Sequence, residues 1–418
     1  MKIKGIAGEA ATMVSGNILA QIIALAAYFV LTRIYSPDDY GLFNIFYSYI
    51  EVLIIASTCK YELAIVVADD EREAAAMSRF ALRLNTLVSC ALLGVVLVLW
   101  LCHALPGNFS QLGWMVLLIP PMVFFCGTSR IYSFLYNRFH RYRQIALSEN
   151  VNAGSGALLK IVLGLLGMAP SGLPVGTVLG QAAANTNYRL QLRSLALPTT
   201  TAEEHKEAAR KHRNFPIYVA TKDFVNTFSA NLPFLWLALY FNRADIGLFG
   251  LALTFTRQPV LLLCGAFERV LYARGAEAVR QRLPLHRLVW RFLLTVNAVA
   301  IPACVLLWFI AEPLFSFGFG ARWHSCGVYV QALLPWVLLT LTANSLMFVA
   351  NIFSTQRIEF FFNLAQLLLR VTALYIGIRM DSFLLAIRMF AAVSVLVSVA
   401  LTVWYLWQVE RYDRSLKA

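Results

Sequence analysis

The chain has 418 residues, of which 59% are hydrophobic and only 14% are charged, and its formal net charge is +13. Soluble domains are usually about a quarter charged, so this composition, with a mean hydropathy of +0.66, excludes an ordinary soluble protein. The apolar runs are continuous, which favours membrane helices over a β-barrel of alternating segments of about ten residues.

The apolar runs, taken in chain order, predict the membrane helices. A bilayer core needs roughly 20 mostly apolar residues per helix. Twelve such runs lie at about 11–33, 41–67, 84–105, 113–136, 145–168, 172–188, 216–241, 247–272, 288–310, 327–351, 358–378 and 382–408. The run at 172–188 is short and polar, so ten or fourteen helices remain alternative counts. The first run is too long for a signal-peptide core and is interpreted as a retained helix.

An internal repeat organises these runs into two halves. Asp39-Tyr40-Gly41-Leu42-Phe43 returns 206 positions later as Asp245-Ile246-Gly247-Leu248-Phe249. The same offset moves the first run onto 217–239, the polar pair Asn17 and Gln21 onto Asp223 and Thr227, and Glu62 onto Glu268. We therefore predict two pseudo-symmetric six-helix lobes: an N-lobe at 1–195, a charged cytoplasmic linker at 196–215, and a C-lobe at 216–418.

The distribution of positive charge predicts the orientation. Of 35 Lys and Arg residues, 24 fall in the termini and in the loops after even-numbered helices, and four fall in the opposite loops. Positive residues stay cytoplasmic, so both termini are expected inside. This bias accounts for most of the net charge, so nucleic acid is not an expected partner. An arginine-rich loop such as 138–143 is interpreted as a topology signal, with contact to anionic membrane lipids as the alternative.

Several charged residues lie inside the apolar runs, where each costs about 2.5–3.5 kcal/mol near a helix centre. The cations are Lys60, Arg130, Lys160, Lys222, Arg257, Arg370 and Arg388, and the acids are Glu51, Glu62, Glu149, Asp223 and Glu268. Lys60, Glu62 and Glu268 lie near helix ends and could reach the interface. The excess of cations favours an anionic substrate.

The repeat selects candidate site residues from this set. Glu51 maps onto Arg257, and both lie near the predicted bilayer midplane, about ten residues into their helices at a rise of 1.5 Å each. They are predicted to face one cavity, where they either pair or leave Arg257 to hold a substrate phosphate. Lys222 and Asn226 share a helix face beside Asp223. Pro259 and the Pro120-Pro121 pair are predicted kinks.

Other chemistries find little support in the sequence. There is no phosphate-binding loop of the Gly-x-x-x-x-Gly-Lys type. The longest polar stretch, 189–215, is too short for a catalytic domain, so an enzyme is not expected. The His and Cys residues show no metal-ligand spacing, so neither a metal nor a cofactor is expected.

Longer motifs resemble those of one transporter family. They are Ser15-Gly16-Asn17, the stretch Tyr35-Ser36-Pro37-Asp38-Asp39-Tyr40-Gly41-Leu42-Phe43, Lys60-Tyr61-Glu62-Leu63-Ala64-Ile65, Asn214-Phe215-Pro216, Asn231-Leu232-Pro233, Ile246-Gly247-Leu248-Phe249 and Gln258-Pro259-Val260. The chain resembles the Wzx-type bacterial oligosaccharide flippases of the multidrug/oligosaccharidyl-lipid/polysaccharide (MOP) exporter superfamily. That resemblance implies an all-α, V-shaped transporter of the bacterial inner membrane, working by alternating access.

The same resemblance implies the cargo and its partners. The cargo is an undecaprenyl-pyrophosphate-linked oligosaccharide, moved from the cytoplasmic to the periplasmic leaflet for O-antigen, capsule or a related glycan. A polysaccharide polymerase and a chain-length regulator are the implied protein partners, and H⁺ or Na⁺ antiport is the implied energy source. Substrate contacts are expected from Arg257, Lys222, Arg130, Arg370 and Asn226. Coupling or gating is expected from Glu51, Asp223, Glu62 and Asn17.

Three alternatives stay open at this point. A multidrug exporter of the same superfamily would share the fold, but for cationic drugs it should place more acids than bases in its interior. A membrane polymerase or ligase should carry one large periplasmic loop, whereas the longest predicted outer loop, about 311–326, is short. A scaffold for glycan synthases leaves the intramembrane charges unexplained.

Overall fold

The computed structural model describes residues 3–192, 195, 197–353 and 355–416, without the side chains of residues 3–18, 261, 262, 265, 266, 268–270, 273 and 356. All regular elements within these ranges are helical. The first unit defined below contains α1 Ile3–Ile34, α2 Pro37–Thr58, α3 Glu62–Val67, α4 Glu71–Leu101, α5 Asn108–Leu112, α6 Ile119–Arg138, α7 Tyr142–Leu165, α8 Gly172–Leu192, α9 Ala202–Lys211 and α10 Thr221–Trp236. The second unit contains α11 Arg243–Arg280, α12 His286–Phe319, α13 Cys326–Ser345, α14 Phe348–Ile352, α15 Gln356–Arg379 and α16 Phe383–Ser415.

The helices coincide with the predicted apolar runs. Each of the twelve runs lies mostly in a long helix or in a long helix with its adjoining short ones, and the short run at 172–188 lies in the 21-residue helix α8. Seven helices of the described ranges are long and apolar enough to cross a membrane: Pro37–Thr58, Glu71–Leu101, Asn108–Arg138, His286–Phe319, Cys326–Ile352, Arg357–Arg379 and Phe383–Ser415. The predicted all-α polytopic membrane fold is therefore confirmed.

The repeat sets the same helix start in both halves. Helix α2 begins at Pro37 after the N-cap Ser36, and α11 begins at Arg243 after the N-cap Asn242. These starts differ by the same 206 positions as the repeated pentapeptide. At α2 the Asp39 N–H donates to Ser36 Oγ (3.2 Å) and the Ser36 N–H donates to Asp39 Oδ2 (2.8 Å). This reciprocal capping box satisfies two backbone donors that a helix end otherwise leaves unpaired.

Contacts within the chain divide it into two compact units, Met1–Leu239 and Tyr240–Ala418. The sequence prediction placed α10 in the C-lobe, whereas its contacts place it in the first unit because α10 packs against α2. The functional lobes 1–195 and 216–418 stay a prediction, and the two units are described separately below.

Close packing of small residues joins α7 to α8 in the first unit. A Cβ atom added to Gly180 would lie 2.6 Å from the Cα of Gly156, so the two backbones touch directly. The Tyr35 hydroxyl, at the end of α1, donates to the carbonyl of Lys160 on α7 (2.8 Å). These contacts fix α1, α7 and α8 as one layer.

Prolines mark a predicted break in the fourth apolar run. The segment Gly113–Leu118 is a 3₁₀-helix, and the α-helix α6 starts at Ile119, immediately before Pro120 and Pro121. Proline is tolerated in the first turn of a helix because that N–H lacks a helical partner anyway. The predicted irregularity at Pro120-Pro121 therefore takes the form of a change from 3₁₀ to α geometry.

The predicted linker 196–215 contains a docked helix. Helix α9 starts with a capping box between Thr201 and Glu204. It is tied to the start of α4 and to the preceding turn by ion pairs, including Arg72 with Glu204 (2.7 Å) and Lys211 with both Asp69 (2.7 Å) and Glu73 (2.6 Å). The chain between α8 and α10 is thus attached to the first unit.

Candidate functional site

A polar cavity of about 290 Å³ lies inside the first unit. Three helices each contribute one charged residue to its wall: Glu51 from α2, Arg130 from α6 and Glu149 from α7. The remaining lining residues are Tyr47, Ile50, Ile54, Cys126, Ser129, Ser133, Phe134, Asn152 and Gln181. Because charged groups inside membrane helices are expensive and usually serve a function, this cavity is the leading candidate site.

Amide side chains from α8 hold the Arg130 segment in place. Gln181 Nε2 donates to Ser129 Oγ (2.6 Å) and Asn185 Nδ2 donates to the same oxygen (3.0 Å). Asn185 Nδ2 also lies 2.8 Å from the carbonyl of Phe125. All of these groups are buried or partly buried, and satisfied buried polar networks specify a single packing arrangement. Residue 130 is therefore positioned by its neighbour Ser129.

Arg130 is the cation of this cavity. Within the described residues, no hydrogen bond or ion pair reaches its guanidinium group. A guanidinium carries five N–H donors in a planar fork that matches phosphate and carboxylate oxygens. Its surroundings supply hydroxyl and amide groups from Ser133, Asn152 and Gln181, which are suited to sugars. The cavity can thus bind an anionic or hydroxyl-rich group.

Glu51 is hydrogen-bonded to α10. Asn231 Nδ2 donates to Glu51 Oε2 at 2.8 Å, and the same amide lies 3.0 Å from the carbonyl of Thr227. Glu51 was predicted to share a cavity with Arg257; these residues belong to different units, and that pairing stays a prediction.

A second polar contact joins α10 to the end of α2. Lys60 Nζ lies 2.7 Å from Asp223 Oδ2, with the side chains 16% and 35% exposed. Cys59 and Lys60 both have left-handed backbones, with φ of 47° and 59°. This conformation costs an L-residue roughly 1–2 kcal/mol, and it turns the chain sharply where Lys60 meets Asp223. Lys60, for which only a position at the membrane interface was expected, thus forms an ion pair within the first unit.

Arg370, a predicted substrate contact, is enclosed within the second unit. It is 3% exposed, and its Nε and Nη2 atoms donate to Ser394 Oγ at 3.0 and 2.8 Å. Its guanidinium lies 4.4 Å from the ring centre of Phe390 and 5.3 Å from that of Trp336. Arg257 lies near enough to repel it electrostatically. This packing favours a structural role for Arg370.

The other predicted residues are scattered. On α10, Lys222 is half-buried and Asn226 is exposed. Glu62 is 1% exposed and its Oε2 atom has no hydrogen-bond partner among the described residues, so the expectation that it reaches the interface is wrong. The side chains of Asn17 and Glu268 lie outside the described residues.

Sequence reasoning assigned no site role to three groups around this cavity. It noted Glu149 only as a charge inside an apolar run, it named Asn231 only within a motif, and it did not name Gln181. A signal for Asn231 was present, since Asp223, Thr227 and Asn231 are spaced four residues apart and share one helix face. Gln181 carried no comparable signal, because an amide in a polar run is common.

Comparisons with known proteins agree with this architecture. A search of curated proteins finds no match to this chain. The lipid II flippase MurJ in an inward closed conformation aligns with 97% of this chain and 90% of its own, at 11% identity and a TM-score of 0.76. An inward-facing multidrug resistance MATE transporter of the MOP superfamily aligns over 94% and 96%, at 12% identity and a TM-score of 0.70. A MOP superfamily transporter from Pyrococcus furiosus aligns over 96% and 95%, at 12% identity and a TM-score of 0.62.

These structural likenesses show the fold, since the identities are low. The family is shown by a model described as "Polysaccharide biosynthesis protein", which matches residues 30–328, more than half of the chain. The chain is a multi-pass membrane protein with the fold of MOP-superfamily transporters, and it belongs to the polysaccharide biosynthesis protein family.

Proposed function

We propose that the protein is a flippase that moves an undecaprenyl-pyrophosphate-linked oligosaccharide across the bacterial inner membrane by alternating access. The transfer runs from the cytoplasmic to the periplasmic leaflet and supplies O-antigen- or capsule-type polysaccharide synthesis. Both termini lie in the cytoplasm, as the bias of basic loops predicts. A polymerase and a chain-length regulator act on the product, and this chain itself catalyses no reaction.

The observation that carries this proposal is the Arg130 guanidinium, which faces a polar cavity without a hydrogen-bonded or ionic partner among the described residues. Pyrophosphate and sugars are costly to expose to hydrocarbon, so they need a lining of donors and positive charge. Arg130 supplies the charge and the neighbouring amides and hydroxyls suit the sugars. The lipid tail can stay in the bilayer while the head group crosses.

Coupling to H⁺ or Na⁺ is part of the proposal. Glu51 and Asp223 remain candidates for this role, and the cavity adds Glu149 to them. Each of these carboxyls lies in a helix of the first unit. Protonation of Glu51 or Glu149, or cation binding to them, would change the charge of the cavity that Arg130 lines.

A multidrug exporter is the second candidate, and one observation favours it. The cavity holds two carboxyl groups, Glu51 and Glu149, against one guanidinium. An excess of acids suits a cationic drug better than a pyrophosphate, although the cations of the whole interior outnumber its acids.

The test follows the lipid-linked oligosaccharide in inverted and right-side-out vesicles with a membrane-impermeant glycan probe. Cells that lack the protein should accumulate the glycan on the cytoplasmic face, and wild type should relieve this. Arg130→Ala should lower outward movement about 10- to 100-fold, because a hydrogen bond to a charged group contributes about 1.5–3 kcal/mol. Arg388→Ala, which removes an exposed arginine of α16, is the matched control and should behave as wild type.

Other outcomes separate the rivals. Normal outward movement in cells that lack the protein would contradict the flippase and leave drug export, tested by drug sensitivity with Glu149→Gln. Glycan that reaches the outer face but stays unpolymerised or unligated would instead indicate an enzyme.

A further inference from the structure

A groove of about 400 Å³ lies in the second unit, where α12 begins and α16 ends. Asp413 joins the two helix ends, since its carboxylate accepts hydrogen bonds from the backbone N–H groups of Leu285 (2.7 Å) and His286 (2.9 Å). Both helices are long and apolar enough to cross a membrane, so this α12–α16 groove lies where two spans reach the membrane surface. Its volume is within the range of ligand pockets, about 300–1,000 Å³.

The exposed face of α12 beside the groove changes from basic to apolar along the helix. Trp290 lines the groove and is 51% exposed. Arg287 and Leu294 are also exposed, and they lie three residues before and four residues after Trp290, which places all three on one helical face. Within the described part of the chain, no ion pair engages Arg287 or its exposed neighbour Arg291. This face is therefore accessible to a ligand.

Helix α16 shows the same order on the other side of the groove, read inward from its end. Arg414 lines the groove, and Trp407 and Val403 lie progressively deeper in the span, all three exposed. The two helices run antiparallel here, because the start of α12 meets the end of α16 at Asp413. At a rise of 1.5 Å per residue, Trp290 and Trp407 lie about 6 and 9 Å from that junction. Arginine, tryptophan and aliphatic side chains thus occur at similar depths on both sides.

The groove is positively charged although two acids line it. Asp413 is buried against the N-terminus of α12, whose partial positive charge compensates a carboxylate. Glu410 pairs with Arg414 at 2.6 Å, but the pair is exposed, and such pairs contribute little. Four arginines lie at the groove against these two acids and leave a net charge of +2: Arg287, Arg291, Arg411 and Arg414. The charge therefore favours an anionic ligand.

We propose that the α12–α16 groove binds one anionic phospholipid of the surrounding membrane. The lipid phosphate accepts hydrogen bonds from Arg287 and Arg414, since guanidinium groups bind phosphate oxygens in a fork geometry. Trp290 and Trp407 lie at the level of the lipid glycerol and ester groups, where indole rings are enriched in membrane proteins. The acyl chains follow the exposed aliphatic side chains below them.

The apolar side chains distinguish a lipid from a soluble phosphate. A soluble anion would contact only the arginines, whereas Trp290, Leu294 and Val403 offer exposed apolar surface directly below them. Clusters of basic residues next to a membrane span attract anionic lipids by about 1 kcal/mol for each residue, or about fivefold in affinity. This site lies within the second unit, and the inference does not depend on which substrate the protein transports.

The test uses the full chain in nanodiscs of phosphatidylcholine that contain a small fraction of phosphatidylglycerol with a photoactivated diazirine on its acyl chain. Peptide mass spectrometry after irradiation should locate adducts at residues 290–294 and 403–407. A phosphatidylcholine probe with the same chain should give about tenfold less adduct there, because it carries no net charge. At a low probe fraction the adduct yield reports the affinity of the groove.

Charge variants should change this yield in opposite directions. Arg287→Gln and Arg414→Gln should each lower it about fivefold, equivalent to about 1 kcal/mol. Glu410→Gln should raise it two- to fivefold, because it removes a negative charge and releases Arg414 from its ion pair. The matched control is Arg210→Gln, which removes an exposed arginine from α9 in the first unit and should leave the yield unchanged. Adducts elsewhere in the same sample show that each variant remains folded.

The apolar part of the site has its own control. Trp290→Ala should lower the phosphatidylglycerol adduct, whereas Trp114→Ala, which removes a similarly exposed tryptophan of the first unit, should not. Excess glycerol phosphate should leave the adduct unchanged; displacement of the lipid by glycerol phosphate, with no effect of Trp290→Ala, would overturn the lipid site in favour of a soluble phosphate. Equal adducts from both lipid probes would also overturn it and would leave the arginines to an acidic protein partner.

Discussion

Helices α1 and α10 occupy equivalent positions in the duplicated sequence, yet one is continuous and the other is interrupted. Helix α1 runs over 32 residues, Ile3–Ile34, in one piece. The repeat offset places Ala10 and Ala27 where the second half has Pro216 and Pro233. Pro216 lies in the π-helical turn Phe215–Ala220 that precedes α10, and Pro233 lies inside α10. We attribute the different continuity of these two equivalent helices to the two prolines.

The second helices of the two halves, α2 and α11, resemble each other more closely than α1 and α10 do. Helices α2 and α11 begin at equivalent residues, and the start of each is buried in its own unit, as Phe46 and its equivalent Ala252 illustrate, both 0% exposed. The comparison teaches that the repeat specifies where helices lie, while single residues decide whether a helix is rigid and what its polar groups bind.

Ala27→Pro is the strongest test of this comparison. It places the proline of α10 into α1, removes an internal hydrogen bond and creates a clash with the preceding turn. We expect a loss of about 3 kcal/mol in the free energy of unfolding, measured by equilibrium unfolding in mixed detergent micelles. Ala27→Gly is the control and should cost about 1 kcal/mol. Equal, small losses in both variants would show that α1 tolerates an interruption and that the prolines do not explain the difference.

Equivalent aspartates give a smaller test. Asp39 completes the capping box of α2, whereas Asp245 Oδ1 accepts a hydrogen bond from the Tyr329 hydroxyl at 2.8 Å. We expect Asp39→Ala and Asp245→Ala each to cost about 1 kcal/mol, the first through a lost cap and the second through a lost hydrogen bond. The two losses of stability should be similar in size but should come from different contacts, with Ser36 for Asp39 and with Tyr329 for Asp245.

A double-mutant cycle with Tyr329→Phe distinguishes those partners. The effects of Tyr329→Phe and Asp245→Ala should fall short of additivity, because both variants remove the same hydrogen bond. Tyr329→Phe and Asp39→Ala should be additive, since Tyr329 donates to Asp245 whereas Asp39 pairs with Ser36. Coupling between Tyr329 and Asp39 would refute the assignment of separate roles.

Much of the fold could be predicted from sequence, because continuous apolar runs can hardly be anything except membrane helices. The repeat offset also predicts the shared start of α2 and α11. It did not predict that α10 packs with the first unit, since a repeat specifies equivalence of elements and not their contacts. The capping-box pattern of Thr201 and Glu204 was visible in the linker and could have predicted helix α9.

The candidate site could be predicted only in part. Charges in apolar runs identified Glu51 and Arg130, and the structure brings both into one cavity. The neighbours of these two residues could not be predicted from the sequence, because the hydrogen bonds of Gln181 to Ser129 and of Asn231 to Glu51 join helices that are distant along the chain. Arg370 shows a second limit. Its charge in an apolar run led to the expectation of a substrate contact, but the sequence could not reveal that aromatic rings enclose its guanidinium.

The segment that enters α10 offers the smallest test, through pH. His205 on α9 is 2% exposed, its Nδ1 lies 2.9 Å from Arg83 Nη1, and its Nε2 lies 2.8 Å from Thr200 Oγ1. A guanidinium can only donate, so Nδ1 accepts and the docked ring is neutral. Helix α9 is polar and lies outside the candidate membrane spans. Burial, followed by the charges of Arg83 and Arg79, lowers the pKa of His205, although Glu204 opposes the shift.

The direction of the pH effect follows from that lowered pKa. The undocked ring binds a proton near its ordinary pKa of about 6.5, whereas the docked ring resists protonation, so docking is fully stabilised above about pH 6.5 and weakens as the pH falls below it.

Amide hydrogen exchange of residues 202–211, corrected for intrinsic exchange rates, should therefore show less protection at pH 5.5 than at pH 7.5. His205→Gln, which cannot take up a proton, should remove this pH difference while Lys211 keeps α9 attached through Asp69 and Glu73. An identical loss of protection in wild type and in His205→Gln would assign the effect to other groups. The attachment upstream of α10 would then depend on the ionisation of groups other than His205.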